Sequence, residues 1–126
     1  MRKPKILVLD DEPAITEMLC ETLEHDFDLV CLTSADAAIE RLGGSETFDV
    51  VITDINLGGV VDGLDIAKKA REMKPDATII YTSGAAAQRV AYEGIKGAAF
   101  IPKPFTGAEI ANALIWMLNE PNTAAA

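Results

Sequence analysis

Histidine occurs once and cysteine twice in this 126-residue chain, and none of them stands in a Cys-x-x-Cys or Cys/His cluster. That excludes a zinc-type site built from soft ligands at metal-binding spacing. Cys20 and Cys31 lie inside apolar patterns and read as buried, reduced thiols. No stretch approaches the roughly 18 consecutive apolar residues of a membrane span. Met1-Arg2-Lys3-Pro4 leads into a short strand-like run rather than a signal peptide. These absences predict a cytoplasmic protein with no membrane insertion. Basic residues are scarce too: 11 lysines and arginines face 20 acids, a net charge of -9. The resulting field repels phosphate backbones and anionic membranes, which argues against direct nucleic-acid binding.

What is present is an ordinary globular composition, 49% hydrophobic and 25% charged, at a length that suits one domain with its own core. Five short apolar runs recur: Ile6 to Leu9, Leu29 to Leu32, Val50 to Ile52, Thr78 to Tyr81 and Ala98 to Ile101. They hardly alternate, as expected of strands covered on both faces in a parallel sheet. Amphipathic patterns separate them. Ile15, Met18, Leu19, Thr22 and Leu23 mark a first helix with Pro13 near its start. Ala35 to Leu42 follows Ser34, a good N-cap, and precedes Gly43-Gly44. A third helix opens at Asp62, turns Ile66, Ala67, Ala70 and Met73 inward and stops before Pro75. A fourth, alanine-rich segment spans Ala85 to Ile95. The last helix starts at Thr106, whose spacing to Glu109 makes a capping box, and presents Ile110, Ala113, Leu114, Met117 and Leu118 to the core. Trp116 falls outside that stripe and should be partly exposed. The alternation predicts a (βα)5 chain of the α/β class, with helices on both faces of a parallel sheet. Residues 1–119 read as one domain and 120–126 as a flexible tail.

In open parallel sheets the ligand crevice lies beyond the carboxyl ends of the strands. There the runs end in Asp10-Asp11, Asp54, Thr82-Ser83-Gly84 and Lys103-Pro104. Clustered carboxylates repel unless a cation sits among them, and oxygen-only ligands suit Mg2+. Lys103 adds a positive charge and Ser83 a hydroxyl donor, groups that suit a phosphoryl oxygen. A carboxylate can itself take the phosphoryl group, and Asp54 is the candidate. Each signal alone has a plainer reading: Asp10-Asp11 as a helix cap, Asp54 as a loop start, Ser83-Gly84 as a turn, Lys103 as a solvated base. Their coincidence on one rim favours the phosphorylation site.

The segments Leu9-Asp10-Asp11-Glu12, Thr53-Asp54-Ile55-Asn56-Leu57, Tyr81-Thr82-Ser83-Gly84 and Lys103-Pro104-Phe105 resemble the receiver domains of bacterial two-component response regulators. The resemblance runs from about Lys5 to Leu118. It implies a flavodoxin-like sheet in strand order 2-1-3-4-5. It also implies that Asp54 accepts phosphate from a histidine kinase or a histidine phosphotransfer protein. Asp11, Asp54 and the Asn56 carbonyl would hold Mg2+, with Asp10 helping through water. Ser83, Gly84 and Lys103 would surround the phosphoryl group, and Ser83 and Phe100 would form the conformational switch. The output would be a partner protein, or an effector domain absent from this sequence. The loop from Leu57 to Gly63 departs from the family by lacking a proline and by being slightly longer. A haloacid-dehalogenase-like phosphatase is the competing enzyme reading. It is disfavoured because Asp54-Ile55-Asn56 follows the third strand and Asn56 cannot serve as a general acid. The expectation is a signalling module with at most weak self-phosphorylation and self-dephosphorylation.

Overall fold

The five apolar runs form strands β1 (Lys5–Leu9), β2 (Asp28–Leu32), β3 (Val50–Asp54), β4 (Thr78–Ser83) and β5 (Ala99–Pro102). This computed structural model describes residues 3–84 and 93–119. All four ladders are parallel, in the order β2-β1-β3-β4-β5, as the family resemblance implies. β1 and β3 hold the middle of the sheet and are buried almost throughout, whereas the edge strands β2 and β5 are largely half-buried.

Successive side chains of a strand point to opposite faces, so each apolar run feeds two cores. On one face Leu7, Leu9, Val51, Ile79 and Tyr81 pack with Ala38, Leu42, Leu64 and Ile66. On the other Ile6, Val8, Val50, Ile52 and Ile80 pack with Leu19, Leu23, Ile110 and Leu114. This double burial is why the runs lack alternation.

Helices α1 (Pro13–Leu23), α2 (Ala35–Leu42), α3 (Gly63–Met73) and the C-terminal helix (Gly107–Asn119) supply the covering layers. Their starts follow the polar signals. Ser34 Oγ accepts the Ala37 N–H at 3.3 Å. Asp62 accepts from Leu64 and Asp65, and the Asp65 carboxylate returns to the Asp62 N–H at 3.0 Å, a full capping box. Thr106 and Glu109 make a second one, with bonds of 3.1 and 3.2 Å. Each such cap contributes about 1 kcal/mol by satisfying N–H groups that the helix leaves open.

Several expectations are corrected. Thr22 stays exposed at the seam with the C-terminal helix, beside Gly107, and its hydroxyl donates to the Met18 carbonyl at 2.9 Å. Met73 and Leu118 are 37% and 36% exposed, and both stand in the last turns of their helices. Cys20 and Cys31 are not free thiols but form a disulfide, with Cα atoms 6.9 Å apart. They are half-buried, and α1 crosses β2 so that the two side chains meet across 11 positions of sequence. Most of the helix expected over Ala85 to Ile95, and the tail expected at 120–126, lie outside the described residues. Among the described residues, no helix is long and apolar enough to cross a membrane.

Candidate functional site

The parallel ladders bring the ends of four strands to one rim. Asp10 follows β1 and is 2% exposed, Asp54 ends β3 at 5%, and Ser83 ends β4 at 1%. Lys103 follows β5 directly. Backbone bonds from the Lys103 N–H to the Ser83 carbonyl (2.9 Å) and from the Ile55 N–H to the Thr82 carbonyl (3.0 Å) extend the ladders past the strands. The rim is therefore held by the same hydrogen bonding as the sheet.

Lys103 is its electrostatic hub. Its Nζ lies 2.9 Å from Asp10 Oδ2, 3.1 Å from Asp54 Oδ2 and 3.4 Å from Glu12 Oε1. Asp10 Oδ1 accepts the Glu12 N–H at 2.9 Å. Among the described residues its buried Oδ2 has no well-directed hydrogen bond, and it faces the Lys103 ammonium. Burial pushes the Asp54 carboxyl above the usual carboxylate range; the Lys103 ammonium opposes this, and the Asp10 charge adds to it. Burial also pulls the Lys103 ammonium down, but Asp10 and Asp54 more than offset it and hold the lysine above its ordinary range. The carboxylates stabilise the lysine, yet one ammonium does not fully compensate the desolvation of Asp54.

Oxygens of Asp10, Asp11 and Glu12 fall within 4.8 Å of one another. Three carboxylates, those of Asp10, Glu12 and Asp54, thus face one ammonium, and Asp11 lies beside the first two. An under-bonded buried oxygen and an excess of hard oxygen donors fit a small divalent cation, Mg2+ above all. Glu12 was absent from the ligand set expected from sequence, although its position beside Asp10-Asp11 was a usable signal.

Asn56, just past β3, donates its backbone N–H to Asp54 Oδ1 at 3.3 Å and its side-chain amide to Ser83 Oγ at 3.4 Å. Gly84 is exposed, and a methyl group added there would meet nothing within 4 Å. Phe100 is half-buried and stands opposite Tyr81 in the β4–β5 ladder. The Lys103–Pro104 peptide is cis.

A second feature that sequence reasoning missed is Gly63. Its N–H bonds to the Ile55 carbonyl at 2.9 Å, and a Cβ there would sit 2.2 Å from the carbonyl oxygen of Asp54. α3 can start this close to β3 only because Gly63 has no side chain. A hollow of about 480 Å3 beside Leu32, Ala37 and Arg41 is lined by none of the rim residues.

A parallel sheet in this order, with a lysine joining two buried aspartates at its carboxyl edge, is the layout of a phosphorelay signalling module. The chain matches the family model of the response regulator receiver domain over residues 6–115 and belongs to that family. It is 36% identical over 104 residues to regulatory protein VirG of Agrobacterium fabrum, covering 79% of this chain and 40% of VirG. It spans less than half the length of the transcriptional regulators it matches. The receiver protein CpdR of Brucella abortus is 28% identical over 117 residues, which is 90% of this chain and 96% of CpdR. The crystal structure of a response regulator receiver protein from Sinorhizobium medicae superposes with a TM-score of 0.87 at 34% identity, covering 94% of this chain and 96% of that one. Receiver domains bind Mg2+ at an acidic site, and Asp10, Asp11 and Glu12 form an acidic cluster on this rim.

Proposed function

We propose that Asp54 is the phosphoacceptor of this receiver domain, which we place at residues 1–119. The observation that carries the reading is the single ammonium of Lys103 bridging Asp10 and Asp54 beside the buried Ser83. A carboxylate oxygen of Asp54 forms the new P–O bond while the P–N bond to the donor imidazole breaks, and the leaving nitrogen keeps the electron pair. Lys103 stays within reach of the acceptor and balances the charge that the phosphoryl group brings. Ser83 offers its hydroxyl to a second oxygen, and the small Gly84 leaves the approach open. Asp10, Asp11, Asp54 and the Asn56 carbonyl, with Glu12 nearby, would hold Mg2+, which when bound supplies further charge neutralisation.

The donor is a histidine kinase or histidine phosphotransfer protein, and the output is a partner protein or an effector domain. Self-phosphorylation and self-dephosphorylation are at most weak. Phe100 and Ser83 form the switch that carries the change outward. The outer side of the C-terminal helix, where Ile115 and Trp116 are 54% and 66% exposed and Glu109 is the one charged residue, supports a partner contact there. We place the protein in the cytoplasm, where kinases of this kind act. The Cys20–Cys31 disulfide is the observation that pulls the other way, since reducing compartments disfavour such bonds.

Intact mass spectrometry after incubation with acetyl phosphate and Mg2+ tests the central claim. One added phosphoryl group is expected in the wild type and none in Asp54→Ala. A phosphoryl group mapped to another residue, or uptake that persists in excess chelator, overturns the reading.

A further inference from the structure

Two hydrogen bonds of the rim, one from the backbone and one from the side chain, start from a single exposed residue that has no charge of its own, Asn56. Asn56 follows Ile55, which is fully buried, so its backbone is anchored to the core while its side chain stands at the edge. Its N–H reaches Asp54 Oδ1 at 3.3 Å, and its amide nitrogen reaches Ser83 Oγ at 3.4 Å, 27 positions away in sequence. The two strands that it joins are neighbours, with Asp54 opposite Thr82 in the ladder. Asn56 therefore spans the gap between the acceptor carboxylate and the hydroxyl on the next strand.

A serine hydroxyl carries one proton and two lone pairs, and its torsion has three staggered wells. The amide nitrogen of Asn56 can only donate. By filling a lone pair of Ser83 Oγ it disfavours the rotor states that would aim the serine proton back at Asn56. It also strengthens the hydroxyl as a donor on its other side, because hydrogen bonds in a chain polarise one another. Orientation prepared before the reaction lowers the barrier where charge builds up on a phosphoryl oxygen. We propose that Asn56 is a positioning residue for phosphotransfer to Asp54, acting through the Ser83 hydroxyl that its side-chain amide holds in place. This rests on the reading of Asp54 as the acceptor. It is separate from any use of the Asn56 backbone carbonyl, which side-chain variants retain.

A double-mutant cycle tests it, with phosphorylation by acetyl phosphate and Mg2+ followed by intact mass in wild type, Asn56→Ala, Ser83→Ala and the double variant. Loss of one such hydrogen bond is expected to slow uptake about 5-fold in Asn56→Ala. In the Ser83→Ala background the same change should alter the rate less than about 2-fold, since the intermediary is gone. Asn56→Gln, which keeps the amide, should recover part of the lost rate, while thermal midpoints stay close to wild type. Equal slowing by Asn56→Ala in both backgrounds overturns the proposal, as does a glutamine variant no faster than alanine. A wild-type protein that takes up no phosphoryl group overturns the acceptor assignment instead.

Discussion

Strands β1 and β3 change character within a step or two of the chain. From Ile6 to Leu9 and from Val50 to Ile52 their side chains are apolar and buried; at Asp10 and Asp54 they are acidic and still buried. The apolar stretch is stabilised by surface removed from water, an effect tied to volume and indifferent to pH. The acidic end gains nothing from burial. It is held by the extended ladders and by Lys103, and its energetics follow charge. Adjacent residues of one strand thus answer to different forces, and the core beneath stabilises a rim that would not hold itself.

Three substitutions sharpen or break this contrast. Ile52→Ala empties a site that is 2% exposed between the sheet and α1, and should cost roughly 2–5 kcal/mol in urea denaturation. The loss should be the same at mildly acidic and mildly basic pH. A strong pH dependence would show that core and rim are not separable.

Gly63→Ala acts at the junction. The added methyl would lie 2.2 Å from the Asp54 carbonyl oxygen and 2.8 Å from Ile55 Cα. Both are backbone atoms, so α3 itself must shift, at roughly 1–3 kcal/mol. Slower phosphorylation should accompany the lost stability, because the displaced atoms carry the acceptor. A variant as stable and as reactive as wild type would mean that the start of α3 does not constrain the rim.

The smallest effect has the opposite sign. Folding raises the proton affinity of Asp54, mainly by burial. Its charged form therefore costs stability, a cost that sets in as pH rises through the ordinary aspartate value of about 3.9 and is complete above the raised one. Asp54→Asn should melt slightly higher than wild type near neutral pH, with the advantage vanishing on acidification below that value. Lys103 keeps its 2.9 Å contact to Asp10 in the variant, so the lysine is not stranded. An asparagine variant less stable at neutral pH would show that the Lys103 pairing outweighs the burial of Asp54.

The strands were legible in the sequence because burial on both faces leaves a local mark, a short β-branched run without alternation. Helix starts at Ser34, Asp62 and Thr106 were legible for a similar reason, since a cap and its N–H partners lie within one turn. The site was legible in outline because parallel topology sends every strand end to the same edge, so Asp10, Asp54, Ser83 and Lys103 could be gathered without coordinates. Strand order came only with the family resemblance, because the apolar runs carry no label of their neighbours.

What the tertiary structure alone decided concerns pairs remote in sequence and the edges of the packed layers. Cys20 meets Cys31 because α1 crosses β2; composition had suggested free thiols. Gly63 is required by a backbone 2.2 Å from where its Cβ would be, and nothing in the neighbouring sequence announces that approach. Met73 and Leu118 fit their helical stripes yet remain partly exposed, since periodicity reports which side of a helix is apolar and not how far the covering sheet extends. The sharing of Lys103 among Asp10, Glu12 and Asp54 depends on distances between three chain segments. A linear pattern can mark where charge gathers, but the partner each charge takes is set by three-dimensional placement.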